Sequence, residues 1–440
     1  MSLAFVAILY FTAGPAWDMI VQYLNAKAMV NPALYSTTWS INTAQVGGLL
    51  YFENFREPVE SALMIPLLPL GGATIPAYLL VEFALLAAGT WRFSKSFRIN
   101  TVIAFAVMFN PYTLYYLFTF NGTDGLSLAF VLLGIASIAD GSPLAGLFLS
   151  LGALSKYPVL LTLPLVLLLG DRAKMTKAAE LCLLPMLPWF LFNLALFGNP
   201  LGSYISELQI AVSNAPTVPL LPGTLLAIFE IPLAFLLLGA AIYAFAKRGR
   251  FKGIRVRKDV RAYILFYMLL TSALEFVFVE FHDSQFTEAR FAYLLVFSLL
   301  LSAAYILGTQ ASRLKRLRIV HATFALSILL LLAATYNYAV NTSWVQEYSV
   351  LNPNAAYVHA ADELAALGYG NCSIITNGWP MMLYYGYPAY TPYDAPGEYP
   401  VLFFNQVGIG AGNMTQLADA TQVYNSTEFG IYMPSNMTCH

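Results

Sequence analysis

The chain has 440 residues, of which 59% are hydrophobic and 10% charged, and its formal net charge is −1. Charged residues make up about a quarter of an ordinary soluble domain, so this composition, with a mean hydropathy of +0.65, excludes a soluble globular protein and calls for burial of apolar surface in lipid. A net charge so near zero also argues against nucleic acid or any other partner held by bulk electrostatics.

Residues 3–13, LAFVAILYFTA, are apolar but short of the roughly 20 residues a spanning helix needs, and Gly14-Pro15 follows at once. They read as a short first helix, or as the end of one that begins upstream. A cleaved leader fits less well, because no basic segment precedes the run. Residues 17–58 then form the longest polar interruption before the tail. Met19, Ile20, Tyr23, Leu24 and Ala28 share one face at helical spacing, the pattern of an amphipathic helix lying on a membrane or a bundle. Asp18 opens that helix, where a carboxylate serves either as a cap for free N–H groups or as a base at the membrane face.

Apolar runs follow at about 62–91, 101–119, 125–139, 143–170, 179–197, 220–246, 262–279, 291–308 and 319–340. Of the 22 basic residues, 18 fall in four loops, at 92–98, 172–177, 247–261 and 313–318. Lys and Arg favour the cytoplasmic side, which puts all four loops inside. That topology requires 143–170 to be two limbs broken at Ser155-Lys156-Tyr157-Pro158, where Pro158 removes a backbone donor and disfavours helix at Tyr157. Each limb is too short to span comfortably alone, so the pair packs inside a bundle and holds Lys156 near the outer face. The expected architecture is an α-helical polytopic membrane protein of about 11 transmembrane helices. Its membrane domain covers residues 1–340, with loop 17–58 outside. The sequons at Asn121, Asn341, Asn371, Asn413, Asn425 and Asn436 all fall on the outer side of this scheme.

The tail, 341–440, has no Lys or Arg and seven acidic residues. Ala355–Leu367 reads as a helix, and Ser373–Thr376 and Val401–Phe404 as short strands. The expectation is a small extracytoplasmic α+β domain. Cys372 and Cys439 lie within it, which leaves room for one disulfide.

Removing the four basic loops leaves Lys27, Arg56, Lys156 and Arg290, all outside or at the outer membrane face. Lys27, near the end of a surface helix, is expected to snorkel or pair. Lys156, between two apolar limbs, and Arg290, at the mouth of a helix, stand where a charge is costly and usually marks a site. Acidic residues on the same side include Asp18, Glu53, Glu57, Glu60, Asp124 and Glu275; Asp124, at a helix start, reads first as a cap. His282-Asp283 is a weak metal signal. The sequence contains no P-loop, zinc motif or nucleophile elbow.

Several stretches, taken in order, resemble the GT-C glycosyltransferases, in particular the protein O-mannosyltransferase and aminoarabinose-transferase branch. They are WDMIVQYLNAKAM with its early Asp; YFENFREP, an aromatic-Glu element closing the first outer loop; FNPYTLYYLFTFNGTDG; and GLFLSLGALSKYPVLLTLPLVLLL, which resembles the Lys-containing re-entrant pair. PWFLFNLALFGNPLGSY and TEARFAYLLVFSLLLSAA complete the series. Members often carry two adjacent acidic residues in the first motif, whereas Met19 follows Asp18 here.

The resemblance implies an inverting transferase that moves a sugar from a polyprenyl-phosphate donor, such as a dolichyl-phosphate-linked mannose or other hexose, to an acceptor hydroxyl of a protein, lipid or glycan on the outer face of the cell membrane. Asp18 would be the base and Glu53 the second carboxylate, positioning sugar or acceptor. Lys156 and Arg290, assisted by Arg56, would neutralise the departing phosphate. Some members use a divalent metal and others do not; nothing in the sequence decides between them. The rival class is a polytopic transporter or lipid-linked-sugar flippase, which would show repeated, paired broken helices. One broken pair and one large asymmetric outer loop favour the enzyme.

Overall fold

The computed structural model describes residues 15, 17–30, 57–109, 114, 123–205, 259–282, 293–310, 355–390, 398–405, 417 and 420–435. The apolar runs at 3–13, 220–246 and 319–340, and most of the loop 17–58, lie outside the described residues. The helices are α1 (Trp17–Val30), α2 (Pro58–Met64), α3 (Thr74–Ser96), α4 (Thr101–Met108), α5 (Thr123–Ala139), α6 (Leu144–Ala153), α7 (Arg172–Phe197), α8 (Val260–His282), α9 (Tyr293–Gln310), α10 (Ala355–Ala366) and α11 (Trp379–Tyr384). Two 3₁₀ segments, Ile65–Ala73 and Tyr157–Leu169, continue α2 and follow α6.

Local chemistry sets the helix ends. Asn100 caps α4 by accepting from Val102 N and Ile103 N at 3.0 and 3.3 Å. Asp171 accepts from Ala173 N at 2.9 Å to start α7, and Gly198, at φ 66°, ends it in the left-handed region that glycine enters without strain.

Among the described residues three helical stretches are long and apolar enough to cross a membrane: Pro58–Ser96, Arg172–Ala195 and Val260–Val277. Shorter apolar helices run Asp124–Ala139, Leu144–Ala153, Tyr157–Leu169 and Leu294–Ile306. Their outer surfaces are greasy. Leu184, Leu187 and Leu191 on α7, and Phe266, Leu270 and Leu274 on α8, are all exposed, at the three- and four-residue spacings that place them along one face. Such stripes would be costly in water and are at rest against hydrocarbon.

The chain divides into two compact units. The first comprises Met1–Val6, Glu57–Glu60 and Tyr78–Asn337. In it α6 packs between α5 and α7, and α9 lies against α4 and α8. The segment 157–169 packs back on α5, α6, α7 and α8. The α6–α7 approach is close because position 146 is Gly: a Cβ there would run into the backbone carbonyl of Ala178. One end of this unit is a basic cluster. Arg92 pairs with Asp140 at 2.7 Å, Ser96 Oγ donates to Asp140 Oδ2 at 2.8 Å, and Arg261 Nε donates to the Ser96 carbonyl at 2.8 Å. Basic residues from two of the four loops therefore meet at the same end.

The second unit comprises Ala7–Arg56, Ser61–Ala77 and Tyr338–His440. Its sheet contains β1 (Ile374–Thr376), β2 (Ala389–Tyr390), β3 (Val401–Phe404), β4 (Ala420–Asn425) and β5 (Phe429–Pro434) in the order β2-β1-β3-β5-β4. β1 is parallel to β2 and β3, while β5 is antiparallel to β3 and β4. Asn377 ties the end of β1 to β3 by exchanging hydrogen bonds with both Phe404 N and Phe404 O at 2.8 Å. The expected helix and two strands are all present; β2, β4, β5 and α11 were not foreseen. Cys372 is disulfide-bonded, while Cys182, in α7, is free.

In the same unit α1 packs against α11 and the segment 65–73. That packing agrees with a helix lying on a bundle, and corrects the expectation that one of its faces is left exposed. Asp18, Met19, Ile20, Val21, Gln22, Leu24, Asn25 and Ala26 are all buried and Tyr23 half-buried, so polar and apolar positions alike are covered, and full exposure begins at Lys27. Polar positions there are met by protein: the Ser61 hydroxyl bonds both the Gln22 carbonyl at 3.1 Å and its side-chain oxygen, and Tyr23 meets Tyr384 edge-on at 6.0 Å.

Candidate functional site

The break between the two limbs falls where the sequence places it. α6 ends at Ala153, Leu154 and Ser155 turn, Lys156 is extended at φ −159°, and the 3₁₀ limb begins at Tyr157 with Pro158 in its first turn. The turn is sealed by Ser155 N and Lys156 N, which both donate to the Gly152 carbonyl, at 3.1 and 2.9 Å. At about 1.5 Å per residue for the α-helix and about 2.0 Å for the 3₁₀ limb, neither limb crosses a hydrocarbon core of about 30 Å alone.

Lys156 Nζ lies 2.8 Å from Asp124 Oδ1, with side-chain exposures of 18% and 0%. The contact is a salt bridge between a partly exposed lysine and a buried carboxylate. Asp124 stands in the first turn of α5. Asp140, in the basic cluster, lies just past the other end of that helix, about 24 Å away at the rise of an α-helix. The Lys156 pair and the basic cluster thus occupy opposite ends of the same helix.

More carboxylates gather on this side. Glu60 and Glu82 are fully buried, and Glu82 interacts with Glu60, Asp124 and the Leu126 backbone N–H at the start of α5. Its approach depends on Gly125, where a Cβ would collide with the Glu82 carboxylate. Half-buried Glu275 of α8 lies near enough to Lys156 to feel its charge. Acidic residues of α5 and α8 are thus both within the field of one ammonium.

A hydrogen-bonded chain fixes the break from below. Glu57, just before α2, accepts from Tyr157 N at 2.9 Å, and Val59 N donates to the Leu154 carbonyl at 3.2 Å. The Tyr157 hydroxyl bonds Ser203 Oγ at 3.0 Å, and Ser203 N donates to Asn193 Oδ1 at 2.7 Å. Glu57, SKYP and FNLALFGNPLGSY, more than a hundred residues apart at their extremes, thus meet around the backbone that carries Lys156.

Asp18 is 3% exposed in the first turn of α1 and belongs to the second unit. Lys27 is exposed and lies over the Tyr23 ring at 5.1 Å, as expected of a cation without a site. Glu53, Arg56 and Arg290, and with them the expected convergence of Lys156 and Arg290, lie outside the described residues. Among the described residues no three metal-ligating side chains come together. Sequence reasoning missed Glu82, although a single carboxylate in the apolar run 62–91 was the available signal. It took Asp124 for a cap, since a partner 32 residues away leaves no local trace.

Chemically, the arrangement offers a held ammonium at the end of a bundle, partly accessible, with its position over-determined by carboxylates and by a backbone latch. Comparison of the chain with protein-family models, with curated proteins and with solved structures gives no match.

Proposed function

We propose that the chain is a multi-pass membrane glycosyltransferase of GT-C type, with about 11 transmembrane helices, that moves a sugar from a polyprenyl-phosphate donor to an acceptor hydroxyl on the outer face. The observation that carries the reading is Lys156: a cation at the break of two short apolar limbs, paired with buried Asp124 and latched through Tyr157 to Glu57 of the first outer loop. A lipid-linked donor presents its phosphate at the membrane boundary with its tail in hydrocarbon. A compact point charge held at that depth favours the transition state, in which the phosphate gains negative charge as the sugar leaves.

In this reading Asp18 takes the acceptor proton, Glu53 positions sugar or acceptor, and Arg290 and Arg56 join Lys156 on the phosphate. The oxygen of the acceptor forms the new bond to the anomeric carbon while the bond to the phosphate oxygen breaks, so configuration inverts. The loop 17–58 and the tail 341–440 face the exterior.

One observation favours a second reading. Carboxylates buried among apolar helices, as Glu60, Glu82 and Asp124 are, are also what an ion-coupled transporter or flippase carries. Incubating the purified protein with a panel of radiolabelled polyprenyl-phosphate sugars and candidate acceptors separates the two. Label leaving the lipid for an acceptor supports transfer; intact labelled lipid moved across a proteoliposome membrane, with no cleavage, supports transport.

A further inference from the structure

We infer that Asp124 is a positioning residue for Lys156, and that its charge holds the affinity of this site for a lipid-linked phosphate below what the ammonium alone would give. This rests on the proposed function, which supplies the phosphate.

Lys156 and Asp124 are unequal partners. The lysine reaches accessible surface at 18% while the aspartate is wholly buried, so an incoming anion meets the ammonium and not the carboxylate. The aspartate cannot swing away. It sits in the first turn of α5 beside Glu82 and Gly125, and Glu82 is itself fully buried against that turn. A phosphate bound at Lys156 must therefore share the ammonium with Asp124. An ammonium carries three donors, all able to rotate, so sharing is chemically open.

Two consequences follow with opposite signs. Asp124 fixes where the ammonium stands, which speeds the step in which the phosphate gains charge. It also competes with the phosphate for the ammonium, which weakens binding of the lipid phosphate left after transfer and hastens its release. A residue that merely supported the fold would move stability, affinity and turnover together.

The test uses the full chain in nanodiscs of neutral lipid, with polyprenyl phosphate as ligand and polyprenol and inorganic phosphate as comparison arms. Binding, turnover and thermal stability are measured for wild type, Asp124→Asn, Asp124→Glu, Lys156→Met and the Asp124→Asn/Lys156→Met double variant. Asp124→Asn is expected to bind polyprenyl phosphate about fivefold tighter or more, within the usual range of coupling between charged sites, while turning over more slowly. In the Lys156→Met background the Asp124→Asn change is expected to leave affinity unaltered.

Weaker binding by Asp124→Asn, or tightening that persists without Lys156, overturns the inference. If Asp124→Asn does not fold, Asp124→Glu decides: unchanged affinity with lowered turnover supports positioning, and loss of both overturns it. Equal affinity for inorganic phosphate overturns the lipid-linked ligand. No affinity of the wild type for polyprenyl phosphate removes the transferase reading itself, whereas wild-type binding that Asp124→Asn leaves unchanged overturns this inference alone.

Discussion

Asparagine at position 18 would keep the size of the side chain and its ability to cap a helix, but it cannot take a proton. Asp18→Asn is therefore expected to leave the melting temperature unchanged and to lower transfer by roughly 10²–10⁴, the usual worth of general-base assistance. Near-normal turnover would reduce Asp18 to a cap. At Arg290 the charge is not the whole of the expectation. A guanidinium fork grips phosphate with two parallel hydrogen bonds and an ammonium cannot, so Arg290→Lys is expected to impair transfer in a kinetic assay despite keeping its charge. Individual residues were unevenly legible in the sequence. Lys156 stood out because a cation between two apolar limbs is expensive. Its partner did not, because Asp124 is equally well explained as a helix start. Glu82 was hidden by the very run of apolar neighbours that makes its burial meaningful.

The elements were easier to read than their surroundings. The limbs around Lys156 follow from the placing of the basic loops together with Pro158, since a proline cannot continue the i→i−4 ladder and restricts the residue before it. The burial of α1 was not legible, because its covering comes from α11 and from 65–73, neither adjacent in sequence. Strands β4 and β5 escaped for another reason: β4 is exposed along most of its length, so it lacks the apolar alternation that announces a strand. The close α6–α7 approach gives a test at this scale. Gly146→Val places side-chain atoms against the Ala178 backbone, which cannot yield as a flexible side chain would. Overpacking of this kind typically costs about 1–3 kcal/mol. A lowered melting temperature is expected, with Lys156 left in place chemically but the limb that carries it displaced; an unchanged melting temperature would show that α6 and α7 do not meet as described.

At the scale of the molecule, the three helical stretches suited to a membrane among the described residues, with exposed apolar stripes on α7 and α8, agree with the lipid-dissolved chain that the composition leads one to expect. The basic cluster and the Lys156 pair lie at opposite ends of α5. If the basic end is cytoplasmic, single cysteines at Ser349 and Lys252 are expected to label from opposite sides of intact cells; labelling of both by one impermeant reagent would refute that arrangement. The most direct test of the transfer chemistry is the anomeric configuration of the product. With a polyprenyl-phosphate sugar of defined anomer, release of free polyprenyl phosphate together with an acceptor-linked sugar of inverted configuration, read by NMR, is the predicted result. Retained configuration, or a donor that emerges intact on the other side of the membrane, would contradict the account.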